Sequence, residues 1–99
     1  AGGLKLDEPA VDLALVMALA SSLRDRAPDS STVVFGEVGL AGEVRGVVGA
    51  DARVAEAHQL GFTRAVVPAR NLDRLERRPG IELVGASTVA EALDLMGLG

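Results

Sequence analysis

The side chains that could carry out chemistry are few and scattered along the chain. His58 is the only histidine, Lys5 is the only lysine, and there is no cysteine. A nucleophilic site needs Ser, Thr, Cys or Lys beside a base that removes its proton. Hydroxyls at predicted helix ends or in a polar loop are instead explained by capping and solvation, and these are Ser21, Ser22, Ser30, Ser31, Ser87 and Thr88. The sequence therefore predicts structural hydroxyls rather than a nucleophile.

Two other polar residues, His58 and Asp12, also favour structural roles. His58 lies near the C-terminal end of a predicted helix, where the helix dipole favours an imidazolium. Asp12 lies near the start of an apolar helix, close enough to free backbone N–H groups to be satisfied by them. A lone histidine without cysteine, and without an H-x-x-x-H pattern, does not predict a metal site.

The glycine-rich stretch from Gly36 to Gly49 is the one segment that suggests a phosphate loop. It lacks the G-x-x-x-x-G-K-[ST] order, and it has no G-x-G-x-x-G opening a helix. Its glycines are expected to serve turns and close packing, and no cofactor is expected in this domain. A small-anion site in this stretch stays open as an alternative.

Composition limits the classes of function. The chain has 99 residues, a net charge of −4 and 2% aromatic residues, so one core, weak unaided nucleic-acid binding and no aromatic base-stacking surface are expected. The longest apolar run, Leu13 to Ala20, is about half the length needed to cross a bilayer. Together with the absence of cysteine, this predicts a cytoplasmic protein with no membrane contact.

The first predicted element is a helix from Ala10 to Leu23. Asp7, Glu8 and Pro9 precede it in the order typical of a helix N-terminus. Because the helix is apolar on nearly every face, with Asp12 as its only charge, it is predicted to be the buried centre of the domain.

The rest of the chain predicts alternating strands and helices. Gly-Glu-Val occurs at Gly36 and again at Gly42, which fits the two arms of a hairpin. An α-β-α-β-α order from Ala50 onward calls for a partly parallel sheet, and the hairpin makes that sheet mixed.

The predicted fold class is α/β (α+β), a mixed sheet packed with helices. The elements are strands Thr32–Phe35 and Glu43–Val48, helix Ala50–Leu60 with a Gly61 cap, strand Arg64–Val67, helical turns Asn71–Arg77, strand Ile81–Val84, and a helix opened by a Thr88–Glu91 capping box.

Several stretches together resemble the C-terminal domain of the bacterial RadA (Sms) DNA-repair proteins. They run from Gly2 to Ala14, from Ser22 to Arg26 and from Val33 to Arg45, with shorter matches at Leu60-Gly61-Phe62 and Val67-Pro68. The resemblance covers essentially residues 1–99, which are read as one domain. The absence of an initiator Met suggests a fragment of a longer chain. Family domains have further strands ahead of Gly2, so the resemblance implies a sheet that lacks its N-terminal strands.

That family domain is similar to the proteolytic domain of Lon proteases, so a Lon proteolytic-domain-like fold is implied. Lon proteases use a nucleophilic serine and a general-base lysine. Matching Glu8-Pro9-Ala10 to the Lon Gly-Pro-Ser run puts Ala10 at the serine. Matching Ala57-His58 to a Lon Ala-His pair puts Asp51 at the lysine. The resemblance therefore implies a degenerate dyad and no peptidase activity. A rearranged dyad that uses Lys5 remains the enzymatic alternative.

The resemblance also implies a context. Full-length family members carry a zinc finger and a RecA-like ATPase upstream, which implies ATP, Mg and Zn outside this domain, and they form hexameric rings that drive branch migration. The implied partners are other copies of the chain, single-stranded or branched DNA, and a recombinase. A non-catalytic oligomerisation scaffold is the leading hypothesis. Candidate DNA or intersubunit contacts are Arg45, Arg53, Arg70, Arg74, Arg77 and Arg78.

Overall fold

A computed structural model describes residues 8–99 of the chain. The strand-like opening from Gly2 to Leu6, with Lys5, lies outside the described residues. A short 3₁₀ helix at Pro9–Val11 leads directly into the first α-helix. The elements that follow are α1 (Asp12–Arg24), β1 (Thr32–Val34), β2 (Glu37–Val38), β3 (Val44–Arg45), α2 (Ala50–Gln59), β4 (Arg64–Pro68), α3 (Ala69–Leu72), β5 (Glu82–Ala86) and α4 (Val89–Leu95).

The centre of the fold is a three-stranded parallel sheet in the order β1-β4-β5. Val34 lies opposite Val66, and Val66 lies opposite Val84. The parallel pairing predicted from the α-β-α-β-α order is confirmed. The β2–β3 hairpin and α2 lie between β1 and β4, and α3 lies between β4 and β5. β1 and β5 are the two edges of this sheet.

The sheet is packed on both faces. Val66 lies in a cluster with Leu13 and Met17 of α1 and with residues of α4, whereas its neighbours Ala65 and Val67 lie in a second cluster with residues of α2. This alternation is expected because successive side chains of a strand point to opposite faces. The domain therefore has three layers, with α1 and α4 on one face and α2 on the other.

The predicted hairpin is confirmed. β2 and β3 pair antiparallel, with Glu37 opposite Arg45 and Val38 opposite Val44. They form a two-stranded sheet of their own, so the parallel and antiparallel pairings occur in two sheets rather than within one. The hairpin is separate from the parallel sheet because the chain leaves β4 at Gly36. The amide of Gly36 donates to the carbonyl of Ala10 and not to a residue of β4.

Three predicted boundaries are wrong. The strand Glu43–Val48 is limited to Val44–Arg45, because the backbone of Val47 bonds the side chain of Asn71 instead of a neighbouring strand. The helix Asn71–Arg77 is limited to Ala69–Leu72, after which only turns follow. The strand predicted at Ile81–Val84 is observed at Glu82–Ala86. Ile81 is not part of it, because its amide donates to the carbonyl of Arg78 in a turn.

Two predicted helix caps, at Thr88 and at Gly61, are confirmed. The Thr88 hydroxyl accepts from the amide of Glu91 at 3.1 Å, and the Glu91 carboxylate accepts from the amide of Ser87 at 3.1 Å. Gly61 has a positive φ of 97° directly after α2, as its role of left-handed cap requires.

The prediction that α1 is the buried centre of the domain is wrong. One face of α1 buries Leu13 and Met17. On the other face Leu15 is 39%, Leu19 is 64% and Leu23 is 86% exposed. The helix packs on the outside of the sheet, and within residues 8–99 no element covers its outer face.

Candidate functional site

The position aligned with the Lon serine, Ala10, is buried at the start of the fold. Its carbonyl accepts from the amide of Gly36 at 2.9 Å, which ties the 3₁₀ helix to the end of β1. Ala10 lines a hollow whose accessible volume is about 230 Å³, formed between α1, the free edge of β1 and α2. The lining is mainly apolar and includes Phe35, Leu60 and Phe62.

Arg53, Glu56 and Ala57 of α2 line this hollow together with Ala10, whereas Asp51 does not. The Arg53 guanidinium forms an ion pair with the Glu8 carboxylate. Asp51 lies two residues earlier on the helix, where its carboxylate accepts from the amide of Glu76 at 3.4 Å. None of the described residues that line the hollow is Ser, Thr, Lys or His.

Three of the hydroxyls predicted to be structural, those of Ser21, Ser31 and Thr88, have structural partners. Ser31 and Thr32 donate to the Asp29 carboxylate at 2.7 and 3.0 Å. The amide of Ser31, followed by these hydroxyls, holds the pKa of Asp29 below its usual range. Ser21 donates to the carbonyl of Arg26 and closes the end of α1.

Asp12 has a structural partner, but not the expected one. Its carboxylate accepts from the amide of Val38 in β2 at 3.1 Å, rather than from the free amides of its own helix. His58 lies near the end of α2, as predicted, and is exposed to solvent.

Two of the six candidate arginines line a second hollow, whose accessible volume is about 480 Å³. Arg45 and Arg70 share its lining with Glu43 and Ser87, beside the carboxyl ends of β4 and β5. Arg45 is partly neutralised, since its guanidinium lies 3.1 Å from Glu43 and 3.6 Å from Glu37. The backbone amide of Glu43 and the Arg45 guanidinium lower the pKa of the Glu43 carboxyl.

The three remaining candidate arginines follow α3. Arg74 and Arg77 are exposed to solvent. Arg78 is partly buried, and its Nε has no hydrogen-bond partner among the described residues. Among the described residues, Arg45 and Arg53 are therefore in ion pairs and Arg70 lines the second hollow. Arg74 and Arg77 are exposed, and Arg78 is partly buried.

Two polar side chains that connect elements of the fold, those of Asn71 and Arg64, were not predicted from the sequence. The Asn71 amide accepts from the Val47 amide at 2.9 Å and donates to the Val47 carbonyl at 3.0 Å. Arg64 donates to the carbonyl of Leu95 at 2.8 Å, at the C-terminal end of α4, and lies 3.4 Å from Glu82 on the neighbouring strand. A single asparagine or a strand arginine has no local pattern that signals such a partner.

Residues 8–99 contain neither a membrane-spanning helix nor a metal-binding cluster. No helix there is long and apolar enough to span a membrane. No group of three or more His, Cys, Asp or Glu side chains in the same part of the chain is placed to hold a metal ion.

These features define a small three-layer α/β domain with an attached hairpin. The chain belongs to the family described as subunit ChlI of Mg-chelatase, whose model matches residues 1–71. It is also 55% identical over 93 residues to the DNA repair protein RadA of Bacillus subtilis, a match that covers 94% of this chain and 20% of that protein. The resemblance to RadA proteins is thereby confirmed.

Other RadA proteins show the same relation. The DNA repair protein RadA of Halalkalibacterium halodurans is 47% identical over 95 residues, which are 96% of this chain and 21% of that protein. RadA of Listeria monocytogenes is 46% identical over 93 residues, which are 94% of this chain and 20% of that protein. The chain thus spans about one fifth of the length of the relatives it matches.

Proposed function

We infer that this chain is a non-catalytic assembly domain of a DNA-repair protein of the RadA type. The observation that carries the proposal is the uncovered leucine face of α1, because a large exposed apolar patch marks an interaction site. The identity of up to 55% to proteins named DNA repair protein RadA supports the repair context, and with it a cytoplasmic location.

The non-catalytic part of the proposal rests on Ala10 and its surroundings. An alanine offers no nucleophile, and the Arg53 guanidinium beside it is held in an ion pair with Glu8. Asp51 is engaged with the backbone of Glu76. The competing reading, a peptidase with a rearranged dyad that uses Lys5, is tested with a fluorophosphonate probe. We expect no labelled serine, and stoichiometric labelling that is lost on mutation of one serine establishes the peptidase instead.

The assembly part is tested in a longer relative. The molar mass of Bacillus subtilis RadA is measured with and without the region that matches this chain. The proposal expects the shortened protein to lose the oligomer of the intact protein, and an unchanged oligomer rejects the assembly role. A hexameric ring, the upstream ATPase with its ATP, Mg and Zn, and a recombinase partner belong to the same proposal about the whole protein.

An auxiliary DNA contact is proposed for the exposed arginines. Arg74 and Arg77 are free to reach phosphates, whereas Arg45 and Arg53 are held in ion pairs with carboxylates. The net charge of −4 keeps this contact weak in a single copy. Repeating it around an oligomer raises the overall affinity by avidity.

A second candidate function is a small-anion site in the hollow lined by Arg45, Arg70 and Ser87. Two guanidinium groups and a hydroxyl near the carboxyl ends of parallel strands favour it, since ligands of open α/β sheets bind at that edge. The carboxylate of Glu43 in the same lining opposes it. Thermal shift with inorganic phosphate, for the wild type and for Arg70→Ala, tests it. A shift that Arg70→Ala abolishes supports the site, and no shift in the wild type rejects it.

A further inference from the structure

The hollow lined by Arg45, Arg70 and Ser87 has the size of a small-molecule site. Its accessible volume of about 480 Å³ lies within the range of roughly 300–1,000 Å³ that is typical of such sites. It opens where two parallel strands end, since Ala69 directly follows β4 and Ser87 directly follows β5. The hollow is therefore large enough for a phosphate together with the group that carries it.

Ser87 presents a hydroxyl group to this hollow. Its amide donates to the Glu91 carboxylate at 3.1 Å, and its carbonyl accepts from the amide of Val44 at 2.9 Å. The backbone of Ser87 is thus held from both sides. Ser87 is exposed, and within residues 8–99 its hydroxyl makes no hydrogen bond. That hydroxyl is free to donate to a ligand.

Arg70 supplies a positive charge that is not balanced. Within residues 8–99 its guanidinium takes part in no ion pair. The lining of the hollow contains the guanidinium groups of Arg45 and Arg70 and one carboxylate, that of Glu43. One positive charge is therefore in excess, and it favours an anion.

The Glu43 carboxylate is committed to the hairpin. One of its oxygens accepts from the amide of Ala41 at 3.1 Å, and the other accepts from Nε and Nη2 of Arg45 at 3.2 and 3.1 Å. The charges of Glu43 and Arg45 therefore compensate one another. A guanidinium has more N–H groups than these contacts use, so Arg45 keeps donors for a ligand.

We propose that this hollow binds the phosphate group of a phosphate monoester, such as a sugar phosphate or the phosphorylated end of a DNA strand. Its donors come from three parts of the fold, because Arg45 lies in β3, Arg70 in α3 and Ser87 after β5. A phosphate monoester has three terminal oxygens that accept hydrogen bonds, whereas a carboxylate has two. None of the lining residues is aromatic, so a sugar fits the rest of the hollow better than a stacked base.

This inference deepens the small-anion function proposed above and rests on it, because it names the class of anion. It does not depend on the assembly role of the domain.

The first test measures the binding of ribose 5-phosphate to the 99-residue chain by isothermal titration calorimetry. Ribose 5-phosphate should bind more tightly than inorganic phosphate, and ribose should not bind. Arg70→Ala should weaken the binding of ribose 5-phosphate about tenfold or more, because a charge-assisted hydrogen bond is lost. Ser87→Ala should weaken it by a smaller factor. Arg24→Ala removes an exposed charge at the end of α1 and should leave the binding unchanged. Circular dichroism confirms that the three variants fold.

The second test identifies the source of the phosphate. Fluorescence anisotropy compares one single-stranded oligonucleotide with and without a 5′-phosphate. If the ligand is a strand end, the phosphorylated oligonucleotide binds more tightly and Arg70→Ala removes the difference. If both oligonucleotides bind equally while ribose 5-phosphate binds, the ligand is a free phosphate ester.

The outcomes separate the ester from the wider small-anion function. Inorganic phosphate that binds as tightly as ribose 5-phosphate and as the phosphorylated strand end overturns the ester and leaves the small-anion function. No binding of any of the three, or equal losses in Arg70→Ala and Arg24→Ala, overturns both.

Discussion

The carboxylate of Asp12 and the amide of Val38 form a hydrogen bond of 3.1 Å that fixes the start of α1 to the hairpin. The two residues are far apart in sequence, so the bond closes a long loop. Removing the acceptor leaves a partly buried amide without its partner. Asp12→Ala is expected to lower the free energy of unfolding by about 1–3 kcal/mol.

Urea unfolding at neutral pH measures this effect. Asp73→Ala is the control, since Asp73 is exposed and the change should stay within about 0.5 kcal/mol. Equal losses in the two variants contradict the role assigned to Asp12.

The side chain of Asn71 makes the hydrogen bonds to the Val47 backbone that a neighbouring strand would otherwise make. Its amide group both accepts from and donates to the Val47 backbone, at 2.9 and 3.0 Å. Asn71→Asp keeps the acceptor but turns the donor into a second acceptor that faces a carbonyl. We expect Asn71→Asp to lower the free energy of unfolding by about 1–3 kcal/mol at neutral pH. At acidic pH the variant should recover part of its free energy of unfolding, because the protonated carboxyl can again donate a hydrogen bond to the Val47 carbonyl. A variant as stable as the wild type contradicts the clamp.

Gly36 is expected to tolerate no side chain. A Cβ there lies 2.9 Å from Cγ1 of Val44 and 3.4 Å from side-chain carbons of Leu13 and Pro68, all within the packed interior. Gly36→Ala should lower the free energy of unfolding by about 1–3 kcal/mol through overpacking. At Gly46 the nearest atoms are at 3.5 Å, so Gly46→Ala is the matched control and should be nearly neutral. Thermal unfolding of both variants decides the matter.

The Asp29 carboxyl gives the chain part of its acid sensitivity. Its pKa is lowered in the folded state by the amide of Ser31 and the hydroxyls of Ser31 and Thr32. A group whose folded pKa is lowered contributes stability above its unfolded pKa, about 4 for aspartate, and this contribution is lost as pH falls through the folded pKa. Asp29→Asn should therefore lose less stability than the wild type between about pH 5 and pH 2. Identical pH profiles of the urea midpoint contradict this assignment.

Arg74 and Arg77 are expected to make the DNA contact. The double variant Arg74→Ala, Arg77→Ala should bind single-stranded DNA more weakly, and the slope of log K against log salt should become shallower by about 1–2. The double variant Arg24→Ala, Arg26→Ala removes the same two charges from exposed positions at the end of α1 and is the control. Fluorescence anisotropy across a salt series measures both, and an equal effect of the control variant points to net charge alone.

Local patterns in the sequence were sufficient to predict the order of elements. The repeated Gly-Glu-Val, the Thr88 capping box and Gly61 each mark a local geometry, and all three are confirmed. Partners distant in sequence left no such mark. Nothing near Asn71 signals Val47, and nothing near Asp12 signals Val38.

The prediction that failed for α1 has a different origin. Its apolar sequence predicts a helix that is covered on all sides, but in this structure the outer leucines face solvent. Periodicity reports which face avoids water and not which molecule covers it. The roles of Ala10, Asp51 and the six arginines stay predictions, since the structure shows their positions only.

The measurement that tests the central claim most directly is the molar mass of Bacillus subtilis RadA with and without the region that matches this chain, by light scattering over a range of concentrations. The claim that this domain drives assembly predicts that the intact protein is an oligomer and that the shortened protein is smaller by more than the mass removed, because its subunits separate. An oligomer with the same number of subunits in both proteins contradicts it.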